Sequence, residues 1–337
     1  KYASIVVDAR DGRVLYATNA DTRNYPASLT KIMTLCMLFE ALDNGTLQLD
    51  QQLPVSARAA GQAPSKLGLE AGDTISVRDA IPALVTKSAN DVATVVAEAL
   101  GGTETDFARM MTARARAIGM GNTTFRNASG LPNRRQLSTA RDMAILAKAM
   151  LDTYPHHYHY FALAAFEYKD QSYPNHNKLL KNYDGVDGIK TGYIRASGFN
   201  LVASAERNGT RLIGVVFGGK TARSRDVHMQ GLLSQSWAKA STQVFANAEP
   251  QPKPEPPVSA GLALEPPKNR LAMAQPLSNA GNWAIQVGAY NEFGPAHTAA
   301  GVAAHRLRGL PPSVSIEVTP FRSHGSVLYR ARLAGFD

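Results

Sequence analysis

Cysteine is almost missing from this 337-residue chain, Cys36 being the single one. That excludes an intrachain disulfide and any multi-cysteine metal cluster. Its neighbours Ile32, Met33, Leu35, Met37 and Leu38 are apolar, so the thiol is expected inside a core. No apolar run reaches the roughly 18 residues that a membrane-spanning helix needs. Acidic side chains are also short in supply, 27 against 36 Lys and Arg, which leaves a formal net charge of +9. Such a balance suits an anionic surface or polymer, whether cell-wall glycan, lipid or nucleic acid, without choosing among them. No recognised nucleic-acid motif accompanies the charge, so no nucleic-acid partner is expected. His-Glu-x-x-His is absent too, which removes the simplest zinc-peptidase reading. His156, His157 and His159, set beside Tyr158 and Tyr160, read as a surface or packing feature, and no metal or other cofactor is expected.

What is present is enough for a sizeable core, with 44% apolar residues. An apolar run from Ile5, the Asp11-Gly12 pair and a second run around Val14-Leu15-Tyr16 predict a β-hairpin. From Ser28 to about Leu42 a helix is expected that is apolar nearly all round, and such a helix belongs in the middle of a domain. Val92, Val95, Val96 and Ala99 recur at helical spacing after Asn90, closed by Gly101-Gly102. Phe107, Met110, Met111 and Ile118 mark another helix, and Thr139 with Asp142 forms a capping pair for the next. Residues 185–193, 199–206 and 211–217 read as strands, the last two joined by Asn208-Gly209. The expected class is α+β, an antiparallel sheet of about five strands with helices packed on it. Seven prolines between Pro250 and Pro267 make 248–280 a semi-rigid linker. Strand-like runs from Trp283 to Tyr290 and from Val327 to Leu333 flank an Ala-rich stretch, suggesting a small β-α-β-β unit over 281–337.

Three strings stand out for their chemistry and their order: Ser28-Leu29-Thr30-Lys31, Ser88-Ala89-Asn90 and Lys190-Thr191-Gly192. They supply a hydroxyl with an amine one helical turn away, a second hydroxyl beside an amide, and a cation beside a third hydroxyl and a glycine. Each alone is common; the ordered set is not. Ser28 at a helix start meets unpaired backbone N–H groups, and Lys31 shares its face. A lysine amine becomes a base only if its pKa falls from about 10.4, through burial and a nearby cation such as Lys190. Taken alone, Ser88 and Asn90 read as N-caps of the second helix.

Together with Asn127-Ala128-Ser129-Gly130-Leu131-Pro132, Asn175-His176-Asn177-Lys178 and Gly185 to Gly192, these strings resemble the D-alanyl-D-alanine carboxypeptidases among the low-molecular-mass penicillin-binding proteins, over 1 to about 245. The resemblance implies a serine peptidase domain over 1–247 that removes terminal D-alanine from peptidoglycan stem peptides and is acylated by β-lactam antibiotics. Ser28 would be the nucleophile, Lys31 its base and Ser88 the proton relay. Asn90 would bind the substrate backbone. Lys190, Thr191, Gly192, Tyr193 and Arg225 would complete the substrate site, with Thr191 and Arg225 on the terminal carboxylate and the N–H groups of Ser28 and Tyr193 as oxyanion hole. Many relatives carry His where this chain has Tyr193. The resemblance also implies a periplasmic or cell-envelope location, and the Lys1 start suits a chain whose export signal has been removed.

Residues 281–337 resemble a SPOR domain, a family that binds glycan strands stripped of stem peptides, with Gln286 and Arg330 as the implied contacts. That family's second helix and last strand would follow Asp337. Alternation along 283–290 predicts one buried and one exposed strand face. Competing readings are a β-lactamase, disfavoured by the lack of a Glu-x-x-Leu-Asn string, a DD-endopeptidase on the same site, and a wall-binding module with a vestigial centre.

Overall fold

The computed structural model describes residues 2–246, 283–290, 300, 315–323 and 326–336. The chain divides into two compact units, 1–253 and 254–337. The linker expected over 248–280 and the Ala-rich stretch, apart from Ala300, lie outside the described residues.

In the first unit, strands β1 (Ala3–Asp8) and β2 (Val14–Thr18) form the opening hairpin, with Gly12 at φ 75°. Strands β3 (Val186–Ile194), β4 (Gly198–Arg207) and β5 (Thr210–Gly219) complete an antiparallel sheet in the order β2-β1-β5-β4-β3. Asn208 and Gly209, at φ 50° and 72°, make the tight turn between β4 and β5. Period-two alternation sends Ile5, Val7, Val202, Ile213 and Val215 into the larger core, while Val6, Leu201, Ala203, Leu212 and Val216 pack on the opposite face with Met229, Leu232 and Leu233.

The larger core is built around α1 (Thr30–Asp43), where every residue from Thr30 to Phe39 is buried. A helix without a polar face is stable only when covered all round, and α2 (Asn90–Gly101), α3 (Glu104–Ala117) and α4 (Ala140–Thr153) supply that cover. Thr139 caps α4 as its spacing predicts, accepting a 3.0 Å bond from the Asp142 N–H. Gly102, at φ 71°, ends α2. Cys36 lies in this core as a free thiol, its pKa raised by burial to about 11. The long α5 (Ala222–Ala246) follows β5 and covers the second face of the sheet. Two short ribbons, Gln52–Pro54 with Thr74–Ser76 and Ala165–Tyr168 with Gln171–Pro174, carry too few residues to show a sequence period.

In the second unit, β6 (Trp283–Tyr290), β7 (Ser315–Ser323) and β8 (Ser326–Phe336) form an antiparallel sheet in the order β6-β8-β7. Ala331 and Leu333 are buried against Ala300. The alternation expected along β6 fails: Ile285 and Gln286 are both exposed, and the register slips between Gln286 and Gly288. One extra residue in a strand reverses the faces beyond it, which is why strict alternation does not carry through.

Candidate active site

Ser28 sits in a 3-10 turn, Ala27–Leu29, directly before α1. The turn is clamped on two sides. From the sheet, the buried Asn200 of β4 donates through Nδ2 to the carbonyls of Tyr25 (3.1 Å) and Pro26 (3.4 Å) and to Ser197 Oγ. From the loop after α3, Gly130 lies so close that a Cβ there would stand 1.9 Å from the Ala27 carbonyl oxygen, at φ 89°. Gly192 does the same from β3, where a Cβ would lie 3.0 Å from the Ser28 N. Gly192, assigned to the substrate site by resemblance, also lets the backbone of Ser28 approach closely.

One turn on, Lys31 is wholly buried. Its Nζ lies 3.3 Å from Ser28 Oγ, 2.7 Å from Asn90 Oδ1 and 2.6 Å from the Ser129 carbonyl oxygen. Burial first, and the charge of Lys190 second, hold this amine well below the ordinary lysine range, against the opposing pull of Asp91. A neutral amine has two N–H donors and one lone pair. Asn90 and Ser129 take the two N–H groups, so the lone pair is left to face the Ser28 hydroxyl. Lys190 is likewise buried, its pKa pushed down to about 7 by burial and then by Arg225.

Ser88 departs from the capping reading. It ends the turn Ala83–Lys87 in the left-handed region, at φ 60°, and α2 begins only at Asn90, with Ala89 as the capping residue and no side-chain cap. The Ser88 hydroxyl is buried and finds no hydrogen-bond partner among the described residues. Such a group costs roughly 1–3 kcal/mol unless something else fills its bond. Asn90 does not cap either. Its Oδ1 accepts from Lys31, and its Nδ2 donates to the Ala63 carbonyl at 2.8 Å. Both halves of the amide assigned to substrate are therefore engaged inside the protein.

Ser28, Ser88, Asn90, Thr191, Gly192, Tyr193 and Arg225 all line one cleft of about 680 Å³. Lys31 and Lys190 lie buried behind it. Tyr193 is exposed and packs on Phe199, ring centres 4.3 Å apart. Arg225, 3% exposed, donates to Asp226 through Nε (3.0 Å) and Nη2 (2.7 Å) and to the Asn200 carbonyl through Nη1. It is an anchored cation, with Asp226 offsetting much of its charge.

Sequence reasoning passed over Ser129, His176 and Asn200. Ser129 and His176 lie inside strings that carried the resemblance, so a signal existed; Asn200 gave none. His176 lines the cleft, and its pKa falls to about 4 through lost hydration and the fields of Lys190, Lys87, Lys178 and Arg225. That cluster of cations is a setting for an anionic group. Gln286 and Arg332 pair across β6 and β8, and Arg330 lies two residues from Arg332, so Gln286 and Arg330 share a sheet face opposite Leu333. His156 and His157 meet Asp43 elsewhere in the fold, and His159 turns to the His156 carbonyl.

Residues 2–221 match the family model described as D-alanyl-D-alanine carboxypeptidase, Peptidase_S11. The chain is 34% identical over 251 residues to the D-alanyl-D-alanine carboxypeptidase DacF of Bacillus subtilis, covering 71% of this chain and 63% of the relative. It is 38% identical to DacC of Escherichia coli over 239 residues, covering 69% and 60%. The matches thus span about three fifths of these relatives' length. Among solved structures, penicillin binding protein 5 from Haemophilus influenzae superposes with a TM-score of 0.65 at 33% identity, covering 72% of this chain and 70% of that one. Penicillin-Binding Protein D2 from Listeria monocytogenes, in its ampicillin-bound form, superposes at 0.61 with 32% identity, covering 70% and 96%. Among the described residues no helix is long and apolar enough to cross a membrane.

Proposed function

The chain belongs to the D-alanyl-D-alanine carboxypeptidase family, and from that premise we propose that it removes the terminal D-alanine from peptidoglycan stem pentapeptides through an acyl-serine intermediate. The observation that carries the reading is the buried Lys31 amine 3.3 Å from Ser28 Oγ, with both of its N–H groups engaged. Lys31 takes the Ser28 proton as Oγ bonds to the penultimate D-alanine carbonyl carbon. The negative oxygen that forms is held by the N–H groups of Ser28 and Tyr193, on backbones brought together at Gly192. The C–N bond then breaks, and Ser88 passes the proton to the departing amine; its partnerless hydroxyl is suited to a bond that arrives with substrate. Thr191 and Arg225, both lining the cleft, receive the terminal carboxylate, with the charge of Lys190 behind the cleft favouring it. Water then attacks the ester and restores Ser28. Asn90 holds Lys31 in place, a role its internal bonds favour over substrate binding.

β-lactams follow the same first step and leave an acyl-Ser28, in keeping with the ampicillin-bound Listeria relative. The enzyme acts in the cell envelope, where its polymer lies. Residues 1–247 form the peptidase domain, 248–280 a linker, and 281–337 a glycan-binding unit using the face that carries Gln286 and Arg330. Mass spectrometry after mixing with a labelled penicillin tests the centre: an adduct on Ser28, absent in Ser28→Ala, together with D-alanine release from a pentapeptide, is the expected result. An adduct on another residue overturns the mechanism. Retention on denuded glycan strands, with and without 281–337, tests the second unit, and equal retention removes its role.

A further inference from the structure

At the far end of α1 from Ser28, three side chains that the peptidase chemistry does not use converge on one point. Asp43 is the last residue of α1, while His156 and His157 lie in the turn between α4 and the 3-10 helix Tyr158–Ala162. Both imidazole Nε2 atoms lie 2.8 Å from the same carboxylate oxygen, Asp43 Oδ1. The three donor atoms all fall within 4.8 Å of one another. We propose that Asp43, His156 and His157 form a binding site for one zinc-class divalent cation, clipping the C-terminal end of α1 to the turn that follows α4.

The donor set fits that ion. Two imidazoles and a carboxylate suit zinc, and copper or nickel after it, over magnesium or calcium, which take oxygen ligands. Tetrahedral zinc, with ligands about 2.0–2.2 Å away, needs donor atoms roughly 3.3–3.5 Å apart. The two 2.8 Å contacts to Asp43 open by about 0.5 Å to reach that, and the imidazole donors, which lie within 4.8 Å of each other, close by at most about 1.5 Å; His156 and Asp43, 54% and 35% exposed, have room to move. Water completes the fourth position, at the open side of His156. The site is also partly preorganised. His157 is mostly covered and stacks on Phe39, ring centres 4.6 Å apart and 21° from parallel. His159 is held off by its bond to the His156 carbonyl, which leaves three protein ligands. Without the ion, Asp43 Oδ1 accepts from both rings in their Nε2–H tautomers; with it, each neutral ring carries its proton on Nδ1 and presents the Nε2 lone pair to the zinc.

Zinc here is remote from the acylation centre, since fifteen residues of helical rise separate Asp43 from Ser28 by about 22 Å. Its effect is on stability, through binding to the folded state alone. The test uses the untagged full chain, stripped of metal, titrated calorimetrically with zinc chloride and followed by thermal unfolding, with cobalt(II) absorption reporting geometry. One zinc per chain, tetrahedral-type cobalt bands and a thermal midpoint that climbs with zinc are expected. His156→Ala should weaken binding about tenfold or more and abolish the climb, while its rate of penicillin acylation stays that of wild type and so reports an intact fold. His159→Ala should bind as wild type does. Equal zinc affinity in wild type and His156→Ala, or no binding by wild type at about 100 µM zinc, overturns the site.

Discussion

The Lys31 amine and the Asn90 amide oxygen stand 2.7 Å apart, joining two strings 59 residues apart in the chain. This contact settles how Lys31 presents its lone pair, because it fixes one of only two N–H groups that the neutral amine owns. Placing a carboxylate at that point should reverse the electrostatics without changing the shape. Asn90→Asp puts a negative charge beside Nζ, favours the ammonium form and so raises the pKa that burial and Lys190 hold down. The acid limb of the pH profile for penicillin acylation should move to higher pH, the reaction slowing on the acid side and recovering in alkali. An unchanged limb would show that Lys31 is not the base.

The buried lysines also tie stability to pH. Lys190 has a folded pKa near 7 and an unfolded value of about 10.4, so between those limits the unfolded chain holds a proton that the folded chain does not. Stability should therefore rise with pH across that window, by up to about 1.4 kcal/mol per unit for this one group, and level off on either side. Urea unfolding at intervals from pH 7 to 10 measures the slope. Lys190→Met should lessen the slope to the share that Lys31 contributes and, by removing a neighbouring charge, let the Lys31 pKa climb.

How far the sequence carried is visible in these same residues. Ser28 and Lys31 are three apart on one helix, so their meeting follows from helical geometry alone. The hairpins of the main sheet were legible because Asn208-Gly209 and Asp11-Gly12 encode their turns locally. Ser88 was not legible, because Ser-Ala-Asn before a helix has the composition of a cap, and only the three-dimensional fold forces its backbone left-handed. Asn200 stands directly before the apolar run Leu201-Val202-Ala203, and nothing nearby in sequence announces that its amide reaches Tyr25 and Pro26. Arg225 drew attention as a carboxylate-binding cation; its bonds to the adjacent Asp226 depend on side-chain geometry that spacing does not reveal.

Gly130 gives a prediction in which packing, not chemistry, controls the centre. Its Cβ would collide with the Ala27 carbonyl at 1.9 Å, and its φ of 89° is one that L-residues avoid. The backbone that must give way is the turn carrying Ser28. Gly130→Ala should destabilise the domain by about 2–4 kcal/mol and slow acylation by a hundredfold or so in the fraction that folds. Thermal unfolding and stopped-flow acylation read the two effects separately. Normal rates and stability would mean that the loop can slide away from Ala27.

Ser88 should show stability and activity moving in opposite directions. Its hydroxyl is buried without a partner among the described residues, so Ser88→Ala removes a desolvated polar group while keeping the Cβ and the left-handed backbone. Deleting an unsatisfied hydroxyl should leave the fold as stable as before or steadier by up to about 1 kcal/mol. Acylation should nevertheless fall about a hundredfold, the loss typical when a positioned proton carrier is removed. Ser88→Gly should be as slow and more stable still, since glycine adopts φ 60° without the penalty of roughly 1 kcal/mol borne by other residues. Chemical denaturation beside penicillin acylation distinguishes the outcomes. If Ser88→Ala loses stability in step with activity, the hydroxyl has a structural bond and is not the relay.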